Sequence, residues 1–373
     1  MAREIPISEI NAYIGLDVHK DTIAVGVAEP GRIGEVRSLG NISNSPVAIA
    51  KLARQLSRRH GCIEFVYEAG SCGYNIQRQL SELEFTCHIC APSLTPRKPG
   101  DRVKNDTRDA TTLARLLRAG ELTFVWVPDR LHEALRDLVR ARHAACIDLR
   151  RDRIRVQHFL LRNDLRYDGK AWSYRHKMWL HNRKFEHPAQ QIAFQTYLNA
   201  LEHEENRKTE LDKQIKDLIA QSHWSQLALA LQALRGVGPT VAATVIAEIG
   251  DFSRFSHPRK LVAYFGLAPG EFSSGRTIRP RGITKAGNVM ARSILCEAAW
   301  SYRTTPKVGQ WIKQHRPPVA QEIIDLAWKA QLRLHKTHKR LTSRGKKSVV
   351  ATAAVARELL CFMWAVAQKV QVT

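Results

Sequence analysis

Tyr13-Ile14-Gly15-Leu16-Asp17-Val18-His19-Lys20-Asp21-Thr22-Ile23-Ala24-Val25-Gly26-Val27 decides the fold. Two apolar runs flank a polar tip, His19-Lys20-Asp21, and short apolar runs bounded by turn residues read as paired strands. Outward from this hairpin, residues 45–60 have helical apolar spacing at Val47, Ile49, Leu52 and Leu56, and the next strand candidate, 63–67, ends at Glu68. A helix over 74–83, a strand over 85–91, a Pro/Gly-rich loop over 92–100 and a helix running to Leu117, with Gly120 beyond it, follow. Strands alternate with helices, which predicts an α/β layered domain.

From about Leu131 the pattern turns helical. Residues 131–160 keep apolar side chains at three- and four-residue steps with arginines between them. Residues 198–219 repeat the pattern with Glu and Lys interleaved, as a solvated coiled-coil arm does. A third, mainly helical region begins near Leu227 and closes with an alanine-rich helix over 349–368. The expected division is 1–130, 131–224 and 225–373, and 373 residues suffice for two or three domains with more than one core.

The formal charge is +23 and the pI about 10.1, so a polyanion is the expected partner. Lys and Arg number 21 against 18 acids over residues 1–150, but 37 against 17 over 151–373, which places the polyanion mainly along the second part. An acidic membrane surface is the weaker choice. No run of eighteen apolar residues appears, and Glu4 and Glu9 stand where a signal peptide is basic and then apolar. A protein of a bacterial-type cytosol, associated with the nucleoid, is expected. Seven scattered cysteines fit reduced thiols, and Cys87-His88-Ile89-Cys90, with no second ligand pair after it, reads as an apolar strand rather than a zinc site.

Two-metal phosphoryl transfer needs three or four carboxylates converging on one pocket. Asp17 follows one apolar strand, Glu68 closes another, and Asp106 and Asp109 stand three apart, on one face if the segment is helical. Asp106 could also be a helix N-cap with Asp109 in its first turn. The conjunction favours a site, because α/β sheets place their ligands at strand ends.

Two further stretches suit nucleic acid. Leu234-Arg235-Gly236-Val237-Gly238-Pro239 has the form of a helix-hairpin-helix turn, in which Gly236, Gly238 and the following helix N-terminus can hold a phosphate. Beyond it, Ser273-Ser274-Gly275 precedes Arg276, Arg279, Arg281, Lys285 and Arg292, five cations without an acid. Such cations can hold a phosphate under attack by a hydroxyl. Residues 150–185 add eleven cations against three acids, interleaved with rings including Trp172 and Trp179, and 329–347 add eight cations and no acid. Cations follow phosphates while rings stack on unpaired bases, or else the rings pack inward.

In this order and spacing, Gly15-Leu16-Asp17-Val18-His19-Lys20, Tyr67-Glu68-Ala69-Gly70, Lys104 through Ala110, Leu234 through Pro239 and Gly266-Leu267-Ala268-Pro269 through Asn288 carry a family likeness. The chain resembles, over nearly its whole length, the insertion-sequence transposases with a DEDD tetrad, the IS one-ten and IS eleven-eleven group of bridge-RNA-guided recombinases. The resemblance implies an α/β RNase-H-like (resolvase-type) N-terminal domain, a helical coiled-coil arm, and a mainly α C-terminal transposase domain with a helix-hairpin-helix. It implies Asp17, Glu68, Asp106 and Asp109 as ligands of Mg2+, two ions to a site. It further implies a serine that becomes covalently linked to DNA, placed at Ser274 with Ser273 as second choice.

The partners it implies are target and donor DNA, a structured noncoding bridge RNA, and further copies of the chain in a dimer or tetramer whose sites are composite. Where many relatives carry threonine before the glycine, this chain has Glu68-Ala69-Gly70, which keeps the carboxylate. Two other classes fit the same residues: a hydrolytic junction nuclease with no covalent serine intermediate, and a DNA-binding protein with no catalysis.

Overall fold

The β1 (Ala12–Val18) and β2 (Thr22–Ala28) strands form the antiparallel hairpin around the polar tip. The computed structural model of the protein describes residues 9–96, 105–275, 277, 279–308 and 318–371. They divide into two compact units, Met1–Val127 and Pro128–Thr373.

In the first unit, β3 (Val36–Ser43), α1 (Pro46–His60), β4 (Ile63–Glu68), α2 (Asn75–Glu82), β5 (Thr86–Cys90) and α3 (Asp106–Ala119) follow the hairpin. The sheet order is β3-β2-β1-β4-β5, with β4 parallel to both β1 and β5. This mixed sheet is compatible with the expected RNase-H-like domain. Strand alternation divides the side chains between two faces. Ile14, Leu16, Phe65 and Tyr67 pack with Ile49, Ala53 and Leu56 of α1, while Tyr13, Val66 and Cys90 pack with Leu113, Ala114 and Leu117 of α3.

The β3 strand was not expected from sequence. Val36-Arg37-Ser38-Leu39-Gly40-Asn41-Ile42-Ser43 is an edge strand, mostly exposed, joined to β2 through a bulge at Val25/Gly26 with Gly40 at φ 80°. Sequence patterns report burial, and this strand buries little.

The second unit begins with α4 (Arg130–Arg162), α5 (Tyr174–His181) and α6 (Pro188–Gln221). Phe194, Leu198, Leu201, Glu205, Lys208, Asp212, Ile215 and Ile219 step by four and three along α6, the spacing of a coiled-coil seam. On α4, Leu135, Val139, Arg142, Cys146, Leu149, Arg153, Val156 and Leu160 keep the same spacing. The polar members pair across the helices: Arg142 Nε donates to Asp212 Oδ1 at 2.9 Å, and Arg153 donates to Glu205 at 2.9 Å. Apolar members at one end join Leu180 and Phe159 in a core of their own, while Leu135, Val139, Ile215 and Ile219 belong to the core of the helices that follow.

Those helices are α7 (Ser225–Gln232), α8 (Pro239–Ile249), α9 (Pro258–Tyr264), α10 (Val289–Ala299), α11 (Gln321–Ser343) and α12 (Ser348–Gln371). A small hairpin, β6 (Pro269–Glu271) with β7 (Pro280–Ile283), interrupts them, where only a loop was expected. By length and apolarity α12 could cross a membrane. Its Val355, Leu359, Leu360, Met363 and Val366 are instead fully buried in this unit's core.

Candidate active site

The acidic site is built by the close seating of α3 on β1. At Gly15 a Cβ would meet the Ala110 carbonyl oxygen at 2.1 Å and the Ala114 nitrogen at 2.6 Å, and at Gly26 it would meet the Ala110 backbone at 2.6 Å. Both strands therefore need glycine under the helix. Tyr13, Gly15 and Asp17 alternate onto that face, so Asp17 emerges at the end of β1 beside the first turn of α3.

Asn105 caps α3, its side chain accepting from the Thr107 N–H at 3.0 Å. The capping role considered for Asp106 is thus filled by its neighbour, leaving the Asp106 carboxylate free, and the positive helix end favours both Asp106 and Asp109 there. His19 lies between two of the acids: its Nε2 is 3.3 Å from Asp17 Oδ2 and 3.3 Å from Asp106 Oδ2. The turn that carries it is tied down, the Asn44 amide donating to the His19 carbonyl at 2.8 Å.

Burial pushes the Asp17 carboxyl above the usual carboxylate range, Asp106 and Asp109 push it further, and His19 opposes them. Asp109 therefore acts on Asp17 although its own carboxylate is outside the trio of Asp17, His19 and Asp106, whose donor atoms all lie within 4.8 Å of one another. Glu68 is also outside the trio. Leu16 pairs with Tyr67, so Glu68 is the next position on the adjacent parallel strand, on the same sheet face as Asp17 and Val66. Its charge is felt at the neighbouring strand end: burial first, and Glu68 second, raise the Cys90 thiol to about 11.

Among the described residues, no Lys or Arg pairs with Asp17, Glu68, Asp106 or Asp109. A group of hard oxygen donors with no cation of its own fits divalent-metal binding. His19 is the residue that the sequence reading missed. The available signal was its i, i+2 spacing from Asp17 at a strand end, which puts both on one face.

The serine is in the second unit, at the tip of the β6–β7 hairpin. Ser274 and Thr277 exchange both backbone hydrogen bonds at 3.1 Å, and Gly275, at φ 55°, occupies the turn. The Ser273 hydroxyl accepts from the Arg279 N–H at 3.2 Å, whereas Ser274 is exposed and its hydroxyl has no partner among the described residues. Arg279 and Arg281 are exposed on the hairpin, with Arg281 stacked on Phe272 at 4.6 Å. Lys285 is exposed as well, at φ 58°. Arg276 lies outside the described residues.

Arg292 departs from expectation. It is buried at 9% exposure, and its guanidinium donates to the carbonyls of Phe265 at 3.1 Å and Ala286 at 3.4 Å, so it holds the loop rather than facing solvent.

The turn from α7 to α8 runs through Leu234-Arg235-Gly236-Val237-Gly238. Gly236 has φ 81°, and a Cβ there would meet the Ala298 carbonyl at 2.3 Å, so this glycine serves packing on α10. Gly238 is open and caps α8, with Pro239 in its first turn. Trp172 and Trp179 pack against the arm's core, with Arg153 over the first ring at 5.2 Å and Arg183 over the second at 4.8 Å. Both rings are half-buried.

A mixed sheet with carboxylates at two strand ends, in a chain whose second unit is helical and basic, is compatible with an enzyme of nucleic-acid strands. Residues 14–163 match the DEDD transposases of the IS110 type, and residues 228–316 match the transposase IS116/IS110/IS902 family. The protein y4qE of Sinorhizobium fredii, a transposase by its name, is 46% identical over 367 residues, covering 97% of this chain and 90% of its own. The transposase for insertion sequence element IS1533 of Leptospira borgpetersenii is 31% identical over 343 residues, covering 90% of this chain and 98% of its own. The chain belongs to the IS110/IS116 family of insertion-sequence transposases, enzymes acting on DNA.

Proposed function

We propose that this transposase cuts and rejoins DNA through a serine–DNA intermediate, with Asp17, Glu68, Asp106 and Asp109 holding Mg2+, two ions to a site. The observation that carries the proposal is the gathering of Asp17 and Asp106, under the field of Asp109 and with Glu68 on the same sheet face, where among the described residues no Lys or Arg pairs with them. Bound metal at such a site supplies charge stabilisation at a phosphate oxygen.

Ser274 is the proposed nucleophile, since Ser273 already engages a backbone N–H. In the step, the Ser274 Oγ–P bond forms as one P–O bond of the DNA strand breaks. The hydroxyl proton passes to solvent, and the departing strand keeps its electron pair until it takes up a proton. The exposed Arg279, Arg281 and Lys285 support phosphate binding near this hairpin, and Gly238 at the open start of α8 supports a second contact. Guidance by a bridge RNA, and action as a dimer or tetramer in a bacterial-type cytosol, complete the proposal. The cation-rich segments 150–185 and 329–347 support the RNA part.

The test is denaturation-resistant capture. Wild-type protein incubated with Mg2+, the element-end DNA and RNA transcribed from the element's flanking noncoding stretch should give a protein–DNA adduct that Ser274→Ala and Asp106→Asn both abolish. Cleavage without an adduct, unchanged in Ser274→Ala, would instead establish a hydrolytic nuclease.

A further inference from the structure

We propose that His19 is itself a metal ligand, so that the ion between Asp17 and Asp106 is held by a nitrogen as well as by oxygens. This rests on reading the acidic set as a metal site and adds a donor to it.

Three observations carry the inference. First, one imidazole nitrogen faces two carboxylates at the same distance, 3.3 Å each. Only the Asp17 contact has hydrogen-bond geometry, and a single N–H at Nε2 would have to fork to serve both acids, so one ordinary hydrogen bond does not account for both contacts. Second, the distances from Nε2 to the two carboxylates suit a coordination shell. Donors bound at about 2.1 Å and at right angles about one ion lie about 3.0 Å apart, and opposite donors about 4.2 Å apart. The distances from Nε2 to Asp17 Oδ2 and to Asp106 Oδ2, 3.3 Å each, fall between those two values.

Third, the three side chains come from two separately anchored places. Asp17 and His19 lie at the end of β1 and the turn after it, where the His19 N–H donates to the Thr22 carbonyl at 2.9 Å and Asn44 holds the His19 carbonyl. Asp106 stands on α3, pressed onto β1 at Gly15. The backbone thus presents the ring to both acids.

The chemical consequence is selectivity. Mg2+ is a hard ion that favours an all-oxygen shell, while an imidazole favours the later first-row divalent ions. With His19 in the shell, the site favours Mn2+ over Mg2+ more strongly than an oxygen-only site does.

Full-length protein loaded with Mn2+ alone provides the test, read by pulsed electron paramagnetic resonance. The wild-type ion should show nitrogen-14 modulation from a bound imidazole, and His19→Gln should lose it. Mn2+ affinity should fall at least about tenfold in His19→Gln, with a smaller change for Mg2+ measured by competition. His19→Asp should recover ion affinity, without the nitrogen signal and with a weaker preference for Mn2+. The side chain is nearly half exposed, at 45%, so these variants should fold, as circular dichroism checks. Mn2+ binding that depends on Asp17 and Asp106 but shows no nitrogen modulation would overturn the role of His19 alone. Binding unaffected by Asp17→Asn and Asp106→Asn would overturn the metal site itself.

Discussion

Replacing Gly15 with alanine should disable metal binding without touching a carboxylate. The backbone at Gly15 is not left-handed, so the substitution introduces no torsional strain. The cost is steric: the new Cβ would lie 2.1 Å from the Ala110 carbonyl oxygen. A carbon-to-carbonyl-oxygen contact settles at roughly 3.3 Å, so α3 must withdraw by about 1.2 Å, the difference between those two distances. No flexible side-chain tip can yield instead, because the nearest atoms are helix backbone.

Ala110 is one turn from Asp106 and adjacent to Asp109, so both carboxylates move with it. Overpacking of this kind costs about 1–3 kcal/mol, and misplacing a reacting group by about 1 Å costs on the order of a hundredfold in rate. Hydrogen exchange of α3 and Mn2+ titration should therefore both show losses in Gly15→Ala, against a Gly70→Ala control whose added Cβ meets nothing within 4 Å. Unchanged α3 protection together with Mn2+ affinity within twofold of wild type would refute the argument that helix seating sets the site.

Three other outcomes follow from the second unit. Burial acts against ionisation of Glu205, but hydrogen bonds from Lys177 and Arg153 outweigh it and hold the carboxyl below its ordinary 4.5. A depressed carboxyl stabilises the fold above its unfolded pKa and ceases to as pH falls through the folded value. Glu205→Gln should thus cost the arm about 2 kcal/mol near neutrality and progressively less below pH 4.5, measured by helix unfolding in urea. In the seam, Asp212→Leu should destabilise more than the double change Arg142→Leu with Asp212→Leu, because the single change strands the part-buried Arg142; a double-mutant cycle reads the difference. Leu360→Ala, at a fully buried position of α12, should cost about 2–5 kcal/mol by thermal unfolding.

The parts of the fold that bury a continuous apolar face were legible as strings of residues. The α1 helix and the seam of α4 and α6 show their period because their partners cover one side, whereas β1, β2 and β4 read as nearly continuous apolar runs because both faces of the sheet are covered. The β3 edge and the β6–β7 hairpin leave most of their residues exposed, so no alternation marks them. At the site, chain order and strand ends pointed to Asp17 and Glu68, and three-residue spacing to Asp106 and Asp109. The spacing of His19 from Asp17 was legible, but its approach to Asp106 depends on α3 lying over β1, a long-range fact marked in the sequence by the permissive Gly15 and Gly26. The same limit applies to Arg292 and Gly236: composition marks a cation or a glycine, but only tertiary contacts show that each is occupied in packing.

Charge pairing divides the acids of this protein into two populations. Glu205, Asp212 and Glu248 each meet an arginine, Glu248 through two hydrogen bonds from Arg140 at 3.0 and 3.1 Å, and so are neutralised within the fold. Among the described residues, Asp17 and Asp106 pair with His19 and with no Lys or Arg, and Asp17 also feels the charges of Asp106 and Asp109. Burial first, and the charges of Asp106 and Asp109 after it, raise the Asp17 carboxyl against the opposing effect of His19, so part of that shift is repulsion between acids. A divalent ion removes that repulsion, and it also removes the repulsion between these acids and an approaching phosphate. Metal and DNA must then each strengthen the other's binding by the same factor, since linkage between two sites is reciprocal.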